Sequence, residues 1–320
     1  MDSVEPMRAI SQNEFGGPEV LQEIDVPRPE PLPTEVLVRV VSAGINPVDA
    51  KTRAGGGMAG LLGEPPFILG WDVSGVVEAV GFGVHTLKPG DEVYGMPRFP
   101  HQAGGFAEYA TAPSRHFALK PSTVDHDTAA AVPLAALTAW QILHDAVHIE
   151  AGQRVLIHAA GGGVGHFAVQ FAKAVGAHVT GTASAGRHDW LREIGADEVI
   201  DYRTTRFEDV TGDQDVVVDL IGGDNAIRST GVLKPGGTVV AVPSGVSDEL
   251  AAAAEARGVT AIDFLVEPDG HALAEIARLI DAGQVRVEVE RVFPFDDIRA
   301  AHERQESGRV QGKLVVRIST

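Results

Sequence analysis

The chain has 320 residues, 44% of them hydrophobic and 22% charged, which is typical of a soluble globular protein with room for two domains. Lys and Arg total 26 against 44 Asp and Glu, so the net charge of −18 disfavours binding to nucleic acid or to an anionic membrane surface. The sequence contains no cysteine, which excludes disulfides, thiolate nucleophiles and zinc sites built on sulfur.

The first part of the chain has the pattern of a compact β domain. Glu35–Ile45 alternates like a half-buried strand, and glycine and proline pairs separate the further candidates Gly75–Val80, Asp91–Gly95 and Phe106–Ala110. Helical periodicity is nearly absent there. We therefore predict a β-rich domain over residues 1–126.

After Pro121 the pattern changes to alternating strands and helices. Thr128–Val147 is rich in Ala and Leu with helical spacing, and short apolar runs then alternate with amphipathic segments, which predicts a doubly wound parallel sheet over residues 127–266. The predicted strands are Arg154–His158, His178–Thr182, Glu198–Ile200, Asp215–Asp219, Thr238–Val242 and Val259–Phe264. Residues 267–320 return to strand signals, at Val285–Arg291 and Lys313–Ile318, and we assign them to the first domain.

The most specific local signal is a glycine-rich turn between the first of these strands and a helix. A dinucleotide pyrophosphate requires a tight turn, a position without Cβ and a small residue where the helix meets the strand, and Ala160, Gly162 and Gly165 have that spacing. The other members of the predicted contact set are Gly161, Gly163 and Val164. The alternative is a glycine turn in an α/β protein that binds no nucleotide.

The segment after the second strand favours NADPH over NADH. Sites for NAD usually place an acidic residue there, whereas Thr182–His188 has none and offers the hydroxyl of Ser184 and the guanidinium of Arg187. These groups suit a 2′-phosphate. The alternative is a solvated loop with an incidental arginine.

Short segments in order along nearly the whole chain resemble the medium-chain dehydrogenase/reductase superfamily, and within it the zinc-free, ζ-crystallin-like quinone oxidoreductases. The matching segments are GINPVD at 44–49, GWDVSGVV at 70–77, VGFG at 80–83, KPGDEV at 88–93, GGFAEY at 104–109, LTA at 137–139, GAD at 195–197 and GRVQGK at 308–313. The resemblance implies a GroES-like substrate domain split around a Rossmann cofactor domain. It also implies a homodimer formed by edge strands, for which Val239–Val242 and Val259–Phe264 are the candidates.

The residues that hold catalytic zinc in other members of this superfamily are replaced here. A cysteine and a Gly-His-Glu triplet give way to Asn46 and to Gly70-Trp71-Asp72, which disfavours zinc alcohol dehydrogenase chemistry. His144 and His148 have the i, i+4 spacing of a helical metal site, but the intervening Glu of such motifs is absent. We predict two surface histidines and no metal.

The resemblance also implies catalytic positions. It places Asn46 beside the nicotinamide and the substrate carbonyl, with Asp49 in the same turn; the alternative is that Asn46 shapes an Asn-Pro turn and Asp49 caps the next segment. Lys51 stands where many relatives have a tyrosine that can donate a proton. The source of the proton therefore stays open: Lys51 donates it, water donates it, or the product takes it up after release.

Further positions follow from the same resemblance. Residues implied to contact the cofactor are Thr138, Tyr202, Val242, Ser244, Phe264, Leu265 and Lys313. For Lys313 the alternative is an exposed lysine without function. Position alone suggests Trp71, Met96 and Phe99 as walls of an apolar substrate pocket.

Together these observations predict a zinc-independent, NADPH-dependent oxidoreductase that transfers hydride to a quinone or a related conjugated carbonyl compound. One alternative is an enal or enoyl reductase of the same superfamily, and another is a noncatalytic NADPH-binding redox sensor. No apolar run reaches the roughly 18 residues of a membrane helix, and the N-terminus has no signal-peptide pattern. We therefore expect a cytoplasmic protein.

Overall fold

The structure is a computed structural model that describes residues 5–319. They form two compact units. Unit 1 comprises the described residues up to Leu137, Glu267–Gly283 and the described residues from Val287 onward; unit 2 comprises Thr138–Val266 and Gln284–Arg286. Among the helices of residues 5–319, none has the length and apolar character that crossing a membrane requires.

Unit 1 is rich in strands, as its sequence pattern predicts. The strands of its first segment are Pro6–Gln12 (β1), Gln22–Pro27 (β2), Glu35–Ile45 (β3), Phe67–Ile68 (β4), Asp72–Val80 (β5), Glu92–Gly95 (β6), Tyr109–Pro113 (β7) and Phe117–Leu119 (β8). The helices of this segment are Pro47–Arg53 (α1), Ala59–Leu62 (α2), His126–Ala130 (α3) and Pro133–Gln141 (α4), the last of which continues into unit 2. The expectation of almost no helix was wrong at α1, because Pro47 at the first helical position and the Asp49 carboxylate start a short helix that has no apolar periodicity.

Unit 2 contains a parallel sheet flanked by helices. Its strands are Arg154–Ile157 (β9), His178–Ala183 (β10), Glu198–Asp201 (β11), Gln214–Asp219 (β12), Leu233–Ala241 (β13) and Thr260–Asp263 (β14). Its helices beyond α4 are Gly163–Val175 (α5), His188–Glu193 (α6), Asp224–Ser229 (α7) and Asp248–Arg257 (α8). Apolar side chains on one face of this sheet, including Leu156, Val217 and Val239, form a buried cluster with Phe207 and Leu250.

The last part of the chain completes unit 1. Its elements are Gly270–Asp281 (α9), Val289–Pro294 (β15), Ile298–Glu306 (α10) and Lys313–Arg317 (β16). The predicted strand Val285–Arg291 was therefore placed too early. β16 runs antiparallel to β3, with Leu314 opposite Ile45, and thereby joins the C-terminal segment to the first segment of unit 1.

Two sheets organise unit 1 and one organises unit 2. In unit 1 the order is β2-β1-β4 in the small sheet and β15-β16-β3-β5-β6-β8 in the large one, where β7 also pairs with β3. In unit 2 the order is β11-β10-β9-β12-β13-β14 with all neighbours parallel, which is the doubly wound Rossmann arrangement. The fold class predicted from the sequence is confirmed.

This strand order corrects one expectation about the dimer. Val239–Val242 was a candidate edge strand, but β13 lies between β12 and β14 and both of its sides are hydrogen-bonded. Within the described residues, the edges of this sheet are β11 and β14. The homodimer stays a prediction, and of its two candidate strands only the one at Thr260–Asp263 lies on an edge.

Candidate functional site

The glycine turn connects β9 to α5 at the carboxyl end of the sheet. Gly162 is the N-cap of α5, and its N–H donates to the carbonyl of Ala159 at 2.9 Å. Ala159 has a φ of +50°, a left-handed conformation that costs about 1–2 kcal/mol for a residue other than glycine. The N–H groups of the first turn of α5 have no partners within the helix, so this end of the helix favours an anion.

Gly162 and Gly165, two of the glycines of the turn, differ in what surrounds them. A Cβ on Gly165 would overlap the carbonyl oxygen of Ala159 and lie 2.7 Å from Ala160 Cα, so close packing of helix on turn requires glycine there. A Cβ on Gly162 would meet only the Ala159 oxygen, at 3.2 Å, and its φ of −88° suits any residue. The space beside Gly162 is therefore open among the described residues, and a pyrophosphate at the end of the helix fits this space.

The loops after β12, β13 and β14 lie at the same end of the sheet, and the loop after β12 is next to the reversal of strand order between β9 and β12. After β12, the buried Asp219 accepts hydrogen bonds from the Gly222 N–H at 2.8 Å and from Asn225 Nδ2 at 2.8 Å, and burial raises its pKa. The predicted residues after β13 and β14 lie in these loops as well: Val242 and Phe264 are half-buried, and Ser244 and Leu265 are exposed. Asp219 was not predicted from the sequence as a residue of this site. An acidic residue at the end of an apolar strand is the sequence feature that could have indicated it.

The predicted 2′-phosphate residues lie after β10 and β11. The Arg187 side chain reaches over the glycine turn, where Nη1 donates to the Gly161 carbonyl at 3.4 Å, and half-buried Ser184 lies three residues before it. Tyr202 is 59% exposed after β11, and the guanidinium of Arg203 is 5.8 Å from its ring centroid. The structure thus brings Arg187 to the turn, and its role in binding the 2′-phosphate stays a prediction.

Unit 1 contains a buried polar network at the start of α1. The Asn46 side chain donates from Nδ2 to Asp72 Oδ2 at 2.8 Å, and its Oδ1 accepts a hydrogen bond from Lys313 Nζ. The same ammonium donates to the Ile45 carbonyl at 3.1 Å and lies 3.3 Å from Asp72 Oδ2. Lys313 is only 3% exposed, so the alternative of an exposed lysine is wrong, and its contact with the cofactor stays a prediction.

Asp49 sits beside this network with one oxygen bonded and one not. Its Oδ2 accepts the Asn46 N–H at 2.7 Å, whereas Oδ1 has no hydrogen-bond partner among the described residues. Burial raises the pKa of Asp49 to about 7, and the charge of Asp72 acts in the same direction. Lys51, further along α1, is exposed to solvent.

The other predicted positions are buried. Trp71, Met96 and Phe99 are 0%, 0% and 5% exposed; Trp71 Nε1 donates to the His101 carbonyl at 2.8 Å, and the Phe99 ring lies edge-on at 5.4 Å. These contacts make them packed side chains of unit 1, and their role as pocket walls stays a prediction. Thr138, in α4, is 3% exposed.

The two histidines at the spacing of a helical metal site lie in different surroundings. His144 is half-buried against Trp140, with ring centroids 4.1 Å apart, and His148 is exposed. In the part of the chain from residue 5 to 319, no group of three or more histidine or acidic side chains is placed to hold a metal ion.

Comparison with known proteins identifies the family. The protein-family model described as alcohol dehydrogenase GroES-like domain matches residues 32–122, and the family model described as zinc-binding dehydrogenase matches residues 194–316. A chloroplastic NADPH-dependent alkenal/one oxidoreductase of Arabidopsis thaliana is 36% identical, over 97% of this chain and 79% of its own length.

Solved structures agree with this comparison. The quinone oxidoreductase from Coxiella burnetii superposes with a TM-score of 0.93 at 36% identity, covering 98% of this chain and 99% of its own. The Escherichia coli quinone oxidoreductase complexed with NADPH gives a TM-score of 0.85 at 28% identity, covering 97% of this chain and 99% of its own. The chain belongs to the medium-chain dehydrogenase/reductase superfamily, in its quinone-oxidoreductase-like branch, which confirms the resemblance.

Proposed function

We propose that the protein is an NADPH-dependent oxidoreductase that transfers hydride to a quinone or another conjugated carbonyl compound. The observation that carries the proposal is the glycine turn, where Gly162 leaves space at the N-terminus of α5 and the Arg187 guanidinium lies over the neighbouring Gly161. This arrangement suits a pyrophosphate and a 2′-phosphate together. The NADPH complex of the Escherichia coli relative supports the choice of cofactor.

The residues of unit 2 have separate tasks in this proposal. The N–H groups at the start of α5 bind the pyrophosphate, and Arg187 with Ser184 and Tyr202 binds the 2′-phosphate. The residues proposed to line the rest of the dinucleotide are Thr138, Val242, Ser244, Phe264 and Leu265. When bound, the nicotinamide supplies the hydride.

In unit 1, Asn46 is the proposed partner of the substrate carbonyl. Lys313 fixes its Oδ1 and Asp72 takes one hydrogen of Nδ2, which leaves one amide hydrogen without a partner among the described residues. A hydrogen bond from this group stabilises the negative charge that hydride transfer places on the carbonyl oxygen. Lys51, being exposed on the same helix, or water then supplies the proton that completes the hydroquinone.

Reduction of a conjugated carbon–carbon double bond is the second candidate, and a relative favours it. The Arabidopsis protein that shares 36% identity is named as an alkenal/one oxidoreductase. Both reactions use the same hydride and the same bond to a carbonyl oxygen, and they differ in the atom that accepts the hydride. Product analysis under anaerobic conditions separates them, because one yields a hydroquinone and the other a saturated carbonyl compound.

The experiment is a titration of purified, metal-free protein with NADPH and NADH, followed by NADPH oxidation with 1,4-benzoquinone, 9,10-phenanthrenequinone and crotonaldehyde. Selective binding of NADPH with enzyme-dependent turnover supports the proposal and ranks the two acceptor classes. Binding without turnover favours a redox sensor. The absence of binding of either nucleotide refutes the proposal.

Arg187→Ala tests the assignment of the 2′-phosphate site. Loss of a charged hydrogen bond costs about 1.5–3 kcal/mol, so the dissociation constant for NADPH is expected to rise roughly 10- to 100-fold. The dissociation constant for NADH is expected to change little, since NADH lacks this phosphate. An equal loss for both nucleotides would remove Arg187 from the phosphate site.

A further inference from the structure

The left-handed Ala159 of the glycine turn is held by buried side chains of two neighbouring elements. Its N–H donates to Thr182 Oγ1 at 3.3 Å, on β10. The same hydroxyl lies 3.1 Å from Nδ1 of His158, whose Nε2 lies 2.9 Å from Ser229 Oγ at the end of α7. His158, Thr182 and Ser229 are each less than 5% exposed.

The donors and acceptors of this chain have one consistent assignment. The Ser229 hydroxyl donates to the Asn225 carbonyl at 2.7 Å, so its oxygen accepts from His158, and Nε2 carries the imidazole hydrogen. Nδ1 is then an acceptor for the Thr182 hydroxyl, which itself accepts the Ala159 N–H. Burial lowers the pKa of His158 to about 3, so the ring is neutral at physiological pH, as this assignment requires.

The network continues to the loop after β12. The Asn225 side chain donates to Asp219 Oδ1 at 2.8 Å, and Asp219 Oδ2 accepts the Gly222 N–H at 2.8 Å. The backbone N–H of His158 donates to the Val218 carbonyl at 3.0 Å, which adds a direct link from β9 to β12. The network therefore connects the loops on both sides of the point where the strand order reverses.

We propose that His158 and Thr182 are positioning residues of the cofactor site, which hold Ala159 in its left-handed conformation and so keep the glycine turn shaped for a pyrophosphate. Replacing Thr182 with an apolar side chain would leave the Ala159 N–H without this acceptor, so the hydroxyl contributes to the geometry of the turn and not only to burial. This inference rests on the proposed NADPH-dependent function. It adds that affinity for the part common to NADPH and NADH depends on a hydroxyl that lies beneath the turn.

Thr182→Val tests the inference, with a matched control on the same strand. The variant removes the acceptor of the Ala159 N–H, and the dissociation constants for NADPH and NADH are both expected to rise about tenfold, with their ratio unchanged. Thr182→Ser restores the hydroxyl and the affinity. Thr180→Val is the control: Thr180 is buried on the same face two residues away, and its hydroxyl has no hydrogen-bond partner among residues 5–319.

The outcomes are distinct. If Thr182→Val binds both nucleotides as Thr180→Val does, or only lowers the melting temperature, Thr182 is a stability residue and the inference fails. A loss confined to NADPH also overturns it, since that places Thr182 in 2′-phosphate recognition. If the unaltered protein binds neither nucleotide, the proposed function itself fails.

A second measurement keeps the inference testable if Thr182→Val does not fold. In protein labelled with ¹⁵N-histidine, the His158 ring is expected as a neutral Nε2–H tautomer that does not titrate between pH 5 and 8. Its ring resonances are expected to shift when NADPH is added, because the network ends on the turn. Unchanged resonances at saturating NADPH would overturn the inference.

Discussion

The buried carboxyl of Asp49 makes the stability of unit 1 depend on pH. Its pKa is about 7 in the folded protein against the usual 3.8 of an aspartic acid side chain, so the folded state retains a proton that the unfolded chain releases between these two pH values. Stability therefore falls as pH rises through this interval and stays low above it. The slope is about 1.4 kcal/mol per pH unit, and two such units lie between pH 5 and 7, which amounts to about 3 kcal/mol.

Asp49→Asn isolates this contribution. The variant amide oxygen can still accept the Asn46 N–H, which the carboxylate accepts at 2.7 Å, but the side chain no longer ionises. Relative to the unaltered protein, the variant is expected to gain about 3 kcal/mol between pH 5 and 8. The difference in unfolding free energy between the two proteins removes the contributions of titrating groups that both contain. Among these are His158 and His302, whose pKa values of about 3 make stability rise with pH up to about 6.5, opposite to the effect of Asp49.

The assay is urea denaturation of both proteins at pH 5, 6, 7 and 8. Trp71 lies in unit 1 whereas Trp140 and Trp190 lie in unit 2, so a background with Phe at positions 140 and 190 makes fluorescence report unit 1. Asp281→Asn is the control, because the pKa of this exposed carboxyl is lowered and it stays ionised throughout the range. A gap between Asp49→Asn and the unaltered protein that does not change with pH would refute the reasoning.

Two further predictions concern packing and charge. Gly165→Ala forces a Cβ against the backbone of Ala159 and Ala160, and its free energy of unfolding is expected to fall by about 1–3 kcal/mol. Gly162→Ala is expected to keep the melting temperature of the unaltered protein and to lose affinity for NADPH. Equal melting temperatures for the two variants would contradict this prediction. Lys313→Met leaves Asp72 buried without its cation and is expected to lose about 3–5 kcal/mol in thermal melting, part of which Asp72→Asn restores in the double variant. A loss below about 1 kcal/mol for Lys313→Met would show that the ammonium is not needed there.

The elements of unit 2 could be predicted because each is determined by the pattern of a short stretch of sequence. The apolar run of β9, the glycines at 161–163 and the amphipathic α5 follow one another within 22 residues, from Arg154 to Val175. Local periodicity decides each of these elements. Strand order is not local: it depends on which side of β9 each crossover returns to, and for that reason the edge at Val239–Val242 was assigned wrongly.

The buried side chains around the turn and around α1 depend on partners distant in sequence. Thr182 lies 23 residues from Ala159, and Asn46 lies 26 residues from Asp72 and 267 from Lys313. No spacing rule relates such pairs, and each residue viewed alone has an ordinary explanation in its own segment. The available signal was weaker: Asp72 and Lys313 each begin a strand in which most of the following residues are apolar, which is an unfavourable place for an unpaired charge.

That pairing changes the interpretation of Asn46. An asparagine before a proline is explained by its turn, and on that explanation its amide is free to rotate. In the structure the ammonium of Lys313 and the carboxylate of Asp72 approach opposite ends of the amide, so only one orientation satisfies both. Because a donor aligned in advance needs no reorganisation when charge develops on a carbonyl oxygen, the ion pair supports the proposed role of Asn46 even though neither charged group is exposed to solvent.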